Sequence, residues 1–523
     1  MPFLSMPTAV STVSAADFNP AAIMPVAVIV LAGFIGLLFE AFMNRSSRHT
    51  AQTSLMVASL LFAIVLLVIG RPIMTGPTIA GSLVIDGPGW LLQLVIAVTS
   101  LLALVLATER FSGRTADAFT EAGSSVPGSP QEALAAREGS STELYPLACF
   151  CVAGMMLFVA AGDLLTLFVG LEMFSLPLYV LVSMGRRRRL LSQEASLKYF
   201  LLGSFASAFF LFGSALLFGY AGSLNLGTIA LAMGSVAGKG PLLVIGILLV
   251  LSGMLFKVGA APFQWWTADV YQGAPTAVTA FMSAVVKVAA FGALMRVVYV
   301  AFEGARWNFQ AVMWVVAGLT MVIGTILTIT QSDIKRMLAY SSVAHAGFIL
   351  VGLLAFDVRG VVGVMFYLAA YAFTTISAFG LVMLVRVRGV EATDLSQWAG
   401  LGRKHPVIAG SMGFVLLSFA GIPLTSGFTA KVAAFGAAIG AAGTPGVTLA
   451  VIGVLCSAVT AFVYFRFVIL MFFADDANDE VSVVAPSALT QASIALGLLV
   501  TIVLGVMPSP ALSLLESASI FIR

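Results

Sequence analysis

Apolar stretches about as long as a bilayer is thick follow one another along almost the whole sequence, with very little charge between them. Seventeen residues without formal charge precede Lys257, and eleven follow it. The hydrocarbon core of a bilayer takes about 20 residues of helix to cross. Stretches of this length argue against a transmembrane barrel, whose strands alternate over about ten residues. Hydrophobic residues make up 60% of the 523 positions and charged residues 9%; a soluble domain carries about 25% charge. The fold class read from this is an all-α polytopic membrane protein.

The net charge of +3 is too small to point to nucleic acid. Cys149, Cys151 and Cys456 lie in apolar runs, without a histidine or further cysteine near enough in sequence to complete a metal site. They read as buried small hydrophobes. There is no glycine-rich phosphate loop, no HExxH pair and no haem-attachment motif. No cofactor is therefore expected on this chain, and any redox chemistry is expected on another polypeptide. The first twenty residues lack the basic region of a signal peptide and read as a short outside tail.

The apolar runs give about 14 spans, centred roughly on residues 32, 60, 98, 152, 173, 208, 241–274, 288, 319, 347, 373, 406–440, 460 and 497. With the N-terminus outside, the inside connections hold Arg45, Arg48, Arg110, Arg114, Arg137, Arg186 to Arg189, Lys335, Arg336, Arg386, Arg388, Arg403 and Lys404. The outside ones hold Arg71, Lys239, Arg306, Arg359 and Arg523. That is fifteen against five, so the positive-inside rule puts both termini outside. Arg186 to Arg189 read as a topology anchor. Residues 109–143 are polar, rich in serine and glycine, and read as a flexible inside loop. Asp475 to Glu480 read as a second, acidic inside loop.

Two runs are too long for one simple crossing and carry helix breakers. The seventh has Gly259, Pro262, Gly273 and Pro275; the twelfth has Gly421, Pro423 and Gly427. Broken helices at corresponding places in two halves point to inverted repeats around an ion path. An offset of five spans inverts the topology, so the repeats are spans 4–8 and 9–13. The implied segments are 1–108, with three spans; the loop 109–143; a first repeat over 144–301; a second over 302–473; and an acidic loop with a last span over 474–523. The repeat is not literal: Lys257 precedes its proline by five residues, whereas Lys431 follows its proline by eight.

An ionisable group at bilayer depth costs roughly 2.5–3.5 kcal/mol on the gentlest scale. Glu172, Lys257, Lys287 and Lys431 all stand isolated in apolar runs, which suggests groups kept for proton or ion movement. Two roles fit Glu172: a proton-exchanging carboxylate paired with a lysine, or a structural ion-pair partner. Lysine gains and loses a proton when buried far more readily than arginine, which suits Lys257 and Lys287. Snorkelling to the interface is the plainer alternative, and their central depth argues against it. Lys431 fits a terminal proton donor to the outside, or a cap on broken-helix carbonyls. His345 fits a relay group or a satisfied core histidine. Lys335, beside Asp333 and Arg336, fits transfer or anchoring equally.

The stretches LEMFSLPLYVLV (171–182), EASLKYFLLGSFASAFFLFGSALLFGYAGS (194–223) and FKVGAAPFQWWTADVYQGAPTAVTAFMSAVVKVAAF (256–291) resemble the N-type membrane subunits of proton-pumping NADH:quinone oxidoreductase, respiratory complex I. QSDIKRMLAYSSVAHAGF (331–348) is similar to the wider antiporter-like family, which includes the M and L types and Mrp-type cation/proton antiporter subunits. The resemblance is strong over roughly 140–475. It implies 14 transmembrane helices, two inverted five-helix repeats and discontinuous helices 7 and 12. It also implies a proton path of Glu172, Lys257, Lys287, His345 or Lys335, and Lys431. NADH, FMN, iron–sulfur clusters and quinone are then expected on other subunits. M-type and small K/J/A-type subunits are the expected neighbours, in a bacterial plasma (inner) membrane. Lys431 departs from the M type, which has a glutamate there; the ending soon after span 14 departs from the L type. Loop 109–143 is longer than the family pattern. The alternatives to a redox-driven proton pump are an Mrp-type antiporter subunit and a non-pumping scaffold.

Overall fold

The computed structural model describes residues 18–110, 118–120, 126, 129–130, 141–186, 188–233, 240–475 and 481–522. Three helices come first: α1 (Pro20–Phe42), α2 (Arg45–Met74) and α3 (Gly87–Leu106). A small antiparallel ribbon of β1 (Gly76–Thr78) and β2 (Leu83–Ile85) joins α2 to α3. Next come α4 (Leu144–Ala160), α5 (Leu164–Ser183), α6 (Arg189–Ala221), α7 (Gly240–Val258), the short α8 (Trp265–Gly273) and α9 (Thr276–Ala301). The following set is α10 (Arg306–Ile329), α11 (Ile334–Leu353), α12 (Val358–Leu384), α13 (Pro406–Ala420) and α14 (Ser426–Phe473). The chain closes with α15 (Ala488–Val506) and α16 (Ser509–Ser517).

Among the described residues, twelve helices are long and apolar enough to cross a membrane. Helix α14 counts once there, but it is a hairpin: Gly443 has φ +60 and ψ −137, outside the helical region. Beyond that bend, Ser457 reaches back to the Ala420 carbonyl. Counting both limbs of α14, and α4 as a shorter crossing, brings the fold to the fourteen spans expected. The protein is a multi-pass membrane protein.

Both broken helices are interrupted by a glycine in the left-handed region. Gly259 has φ +73 and Gly421 has φ +83, a conformation that glycine adopts without steric cost. The Gly259 amide donates to the Phe256 carbonyl, and the Gly421 amide to those of Leu417 and Ser418. After its break each chain resumes as a new helix, α8 in the first set and α14 in the second. The two sets meet where α8 packs on α11 and α9 packs on α12. Close approach is secured by small residues: a Cβ on Gly324 of α10 would lie 2.4 Å from the Ala344 amide of α11.

Burial separates the helices into a centre and a rim. The apolar stretch of α9 is wholly buried, and those of α11 and α12 are 94% and 89% buried. Those of α2 and α15 are 28% buried, leaving the rest to lipid or to neighbouring chains. Two of these central helices carry candidate groups: Lys287 on α9, and Lys335 and His345 on α11. All three cysteines are buried.

Some features were not expected of an all-helical chain. Short strands β3 (Val385–Val387), β4 (Val390–Glu391) and β5 (Val481–Val483) form a sheet in the order β4-β3-β5. Most of the 109–143 loop, and residues 476–480 of the acidic loop, lie outside the described residues. Within the described part of the first loop, Phe119 is fully buried. Its neighbours pair with the α5–α6 turn: the Thr120 amide donates to Met184 O and the Arg186 amide to Ala118 O.

Candidate functional site

Glu172 lies near the middle of α5 and is half-buried. The Ser207 hydroxyl of α6 donates to its carboxylate at 2.5 Å. A lysine partner was one expectation for Glu172; among the described residues no lysine lies within ion-pair distance of it.

Lys257 occupies the last turn of α7, two residues before the break, and is 4% exposed. Among the described residues its ammonium has no hydrogen-bond acceptor. It lies over the rings of Tyr199, Phe174 and Tyr179, at 5.1, 5.2 and 5.5 Å from their centroids. Lys257 and Lys287 line one small cavity, together with Tyr199, Thr267, Tyr271 and Met282. About 10 Å³ of it is open to the centre of a water molecule, roughly what one water needs.

Lys287 sits in α9 directly after a π-helical turn, Met282–Val286. Such turns inside α-helices recur at functional sites. The Lys287 ammonium donates to the Ser342 carbonyl at 2.5 Å and to its hydroxyl at 3.1 Å. It also faces the Tyr371 ring at 5.4 Å. His345 also packs against Tyr371, with ring centroids 5.1 Å apart. His345 Nδ1 is 2.7 Å from the Tyr367 hydroxyl.

The row continues through Phe348 and Phe419, both against the His345 ring. Lys431 lies over Phe348 at 5.0 Å. Its ammonium donates to the carbonyls of Phe419 and Ala420 at 2.9 and 2.8 Å, and to the Ser457 hydroxyl at 2.5 Å. Phe419 and Ala420 are the last residues of α13, so Lys431 caps the broken helix from within α14. These contacts are those of a cap on broken-helix carbonyls, one of the two roles that fit Lys431 in the sequence.

Lys335 stands apart from this row. It is buried in the first turn of α11 and donates to the Ala274 carbonyl, at the junction of α8 and α9, at 2.7 Å. The neighbouring Arg336 pairs with Asp269 at 2.7 Å, and Asp269 pairs with Lys198 at 2.9 Å. The structure thus links Lys257 to Lys287 through one cavity, Lys287 to His345 through Tyr371, and His345 to Lys431 through Phe348. Glu172, bonded to Ser207, and Lys335, bonded at the α8–α9 junction, lie outside these contacts. Among the described residues no two of these groups are hydrogen-bonded to each other. A proton moving between them needs a bridging water or a side-chain swing.

Sequence reasoning missed a second buried charge cluster. Arg296, nine residues after Lys287 on α9, pairs with Asp86 at 2.6 Å, and both side chains are essentially inaccessible. Arg296 also donates to the Val159 carbonyl at 2.8 Å. Asp86 caps α3 through the Gly89 amide and accepts from the Ile522 amide. An arginine inside an apolar run was the available signal.

Residues 161–460 match the family model described as NADH:quinone oxidoreductase/Mrp antiporter, transmembrane. NADH-quinone oxidoreductase subunit N 3 of Streptomyces griseus is 51% identical over 524 residues, covering 96% of this chain and 94% of that one. Subunit N of Rhodococcus opacus is 48% identical over 536 residues, covering 98% of each. The chain belongs to the NADH-quinone oxidoreductase subunit N family. The resemblance read in the sequence is borne out, as is the fold class. A chain of respiratory complex I from Thermus thermophilus, solved with bound aureothin, has TM-score 0.75 and 30% identity, covering 94% of this chain and 99% of that one. A chain of the Mrp complex from Dietzia sp. has TM-score 0.77 at 21% identity, covering 97% of each; that likeness concerns the fold.

Proposed function

We propose that this chain is a proton-translocating membrane subunit of an NADH:quinone oxidoreductase. The observation that carries the reading is the row of buried titratable groups along both repeats, with a lysine at each helix break. Glu172, Lys257, Lys287, His345 and Lys431 hand protons along this row. Lys335 feeds it from the inside end of α11. Lysines 257 and 287 face one cavity, where two like charges oppose each other; holding a proton on one favours its release from the other. That alternation gives a proton a reason to advance.

The chain itself carries no redox centre in this reading. NADH, FMN, iron–sulfur clusters and quinone act on other subunits, and quinone reduction there drives the charge changes here. Neighbouring antiporter-like and small membrane subunits flank it in a bacterial plasma membrane. Both termini lie outside, as the distribution of arginine and lysine indicates. Segments 144–301 and 302–473 are the two transporting repeats, preceded by 1–108 and the loop 109–143 and followed by 474–523.

The test is purification of the tagged chain from native membranes in mild detergent. The expected preparation contains NADH-reducible flavin and iron–sulfur proteins. A preparation without them, from cells whose sodium resistance falls when the chain is deleted, supports the Mrp-type antiporter instead.

A further inference from the structure

The three buried lysines of the row are held in different ways. Lys287 and Lys431 each donate to oxygen, two acceptors for the first and three for the second. Lys257 donates to none among the described residues and lies over three ring faces. We propose that Tyr199 is a positioning residue for Lys257, its ring forming, with those of Phe174 and Tyr179, an aromatic cage that holds the ammonium beside the shared cavity. This inference rests on the proton-path reading above.

The cage is built deliberately by its surroundings. Tyr199 lies flat against Trp266, with centroids 4.8 Å apart and planes 13° apart. Trp266 is on α8, across the break, and its indole N–H donates to the Phe256 carbonyl at 3.0 Å. The tryptophan therefore fixes both the Tyr199 ring plane and the residue preceding Lys257. Tyr179 meets Tyr199 edge-on at 4.7 Å. Its hydroxyl fits only because position 203 is glycine: a Cβ there would fall 2.1 Å from the Tyr179 oxygen. Both tyrosines are nearly inaccessible, Tyr179 at 5% and Tyr199 at 0% exposure, and among the described residues neither hydroxyl meets a partner in hydrogen-bond geometry. What they offer the ammonium is the negative face of the ring, an attraction that strengthens when water is excluded. Ring faces hold a charge without taking its N–H groups. Those N–H groups stay free for the cavity that Tyr199 and Lys257 line with Lys287.

The experiment uses the intact complex in inverted native membrane vesicles, reading NADH-driven proton uptake with subunit level by immunoblot. Tyr199→Leu, which removes the ring, is expected to lower uptake about tenfold at a normal level of assembled complex. Tyr199→Phe, which keeps the ring and removes the hydroxyl, is expected to restore most of that loss. With Lys257→Ala also present, Tyr199→Leu should lower uptake no further; a merely structural role would add its own loss. Should Tyr199→Leu fail to assemble, Tyr179→Leu against Tyr179→Phe is the same comparison on another wall. Uptake near wild type in the leucine variant, or a phenylalanine variant as poor as the leucine one, overturns the cage. If Lys257→Ala alone leaves uptake intact, the proton-path reading has failed, and the cage falls with it.

Discussion

Lys287→Met lowers NADH oxidation and NADH-driven proton uptake together, by tenfold or more, while the complex still assembles. Lys287 connects the Lys257 cavity with His345: it lines the first and shares Tyr371 with the second. Methionine fills a similar volume, so packing around α9 is largely kept. A tenfold loss corresponds to about 1.4 kcal/mol on the rate-limiting barrier. Lys287→Arg is the sharper companion. It keeps a positive charge beside Ser342, but the guanidinium does not release its proton. It is expected not to restore either activity. Wild-type rates in the methionine variant would place Lys287 outside the path. Recovery in the arginine variant would show that charge alone, without proton exchange, is what the site needs.

Arg296→Met has a large effect of another kind, on the amount of folded subunit. It leaves the Asp86 carboxylate buried without its partner, and breaking a buried pair from one side costs about 3–5 kcal/mol. Replacing both partners is milder, because no charge is stranded. Asp86→Asn with Arg296→Met keeps an acceptor at position 86 for the Gly89 and Ile522 amides. Subunit level in membranes and the thermal midpoint of the purified complex are the measurements. Arg296→Met should lower both, and the double variant should recover a large part. Equal losses in the single and double variants would mean that the packing of Arg296 on Val159 and Phe521, not its charge pair, holds this end of α9.

The crossings were legible because a bilayer imposes a length and a polarity on each helix separately. Isolated lysines were legible for the same reason: a charge in an apolar run stands out against its own neighbours in sequence. The breaks at Gly259 and Gly421 were visible as glycine–proline punctuation. What could not be read was pairing across the sequence. Asp86 looks like an ordinary cap before a glycine-rich turn, and only the fold brings it to Arg296. Tyr199 and Tyr179 look like apolar members of their spans, since an aromatic wall has no signature of its own. Glu172 was read as a lysine's proton-exchanging partner or as a structural ion-pair partner; its bond to Ser207 could not be read, because a helix's rotation is set by its neighbours and not by its own residues. The hairpin at Gly443 was read as two spans, and correctly, because length alone forbids one crossing of 48 residues.

In the proposed function, buried lysines in this chain carry protons whose movement is coupled to electron transfer. Lys257→Ala in the intact membrane tests it most directly. NADH oxidation and NADH-driven proton uptake are recorded in the same inverted vesicles, with assembly checked by immunoblot. The expected result is an assembled complex in which both activities fall together. An assembled complex with both at wild-type levels would contradict it, and would leave the chain as a scaffold for its neighbours.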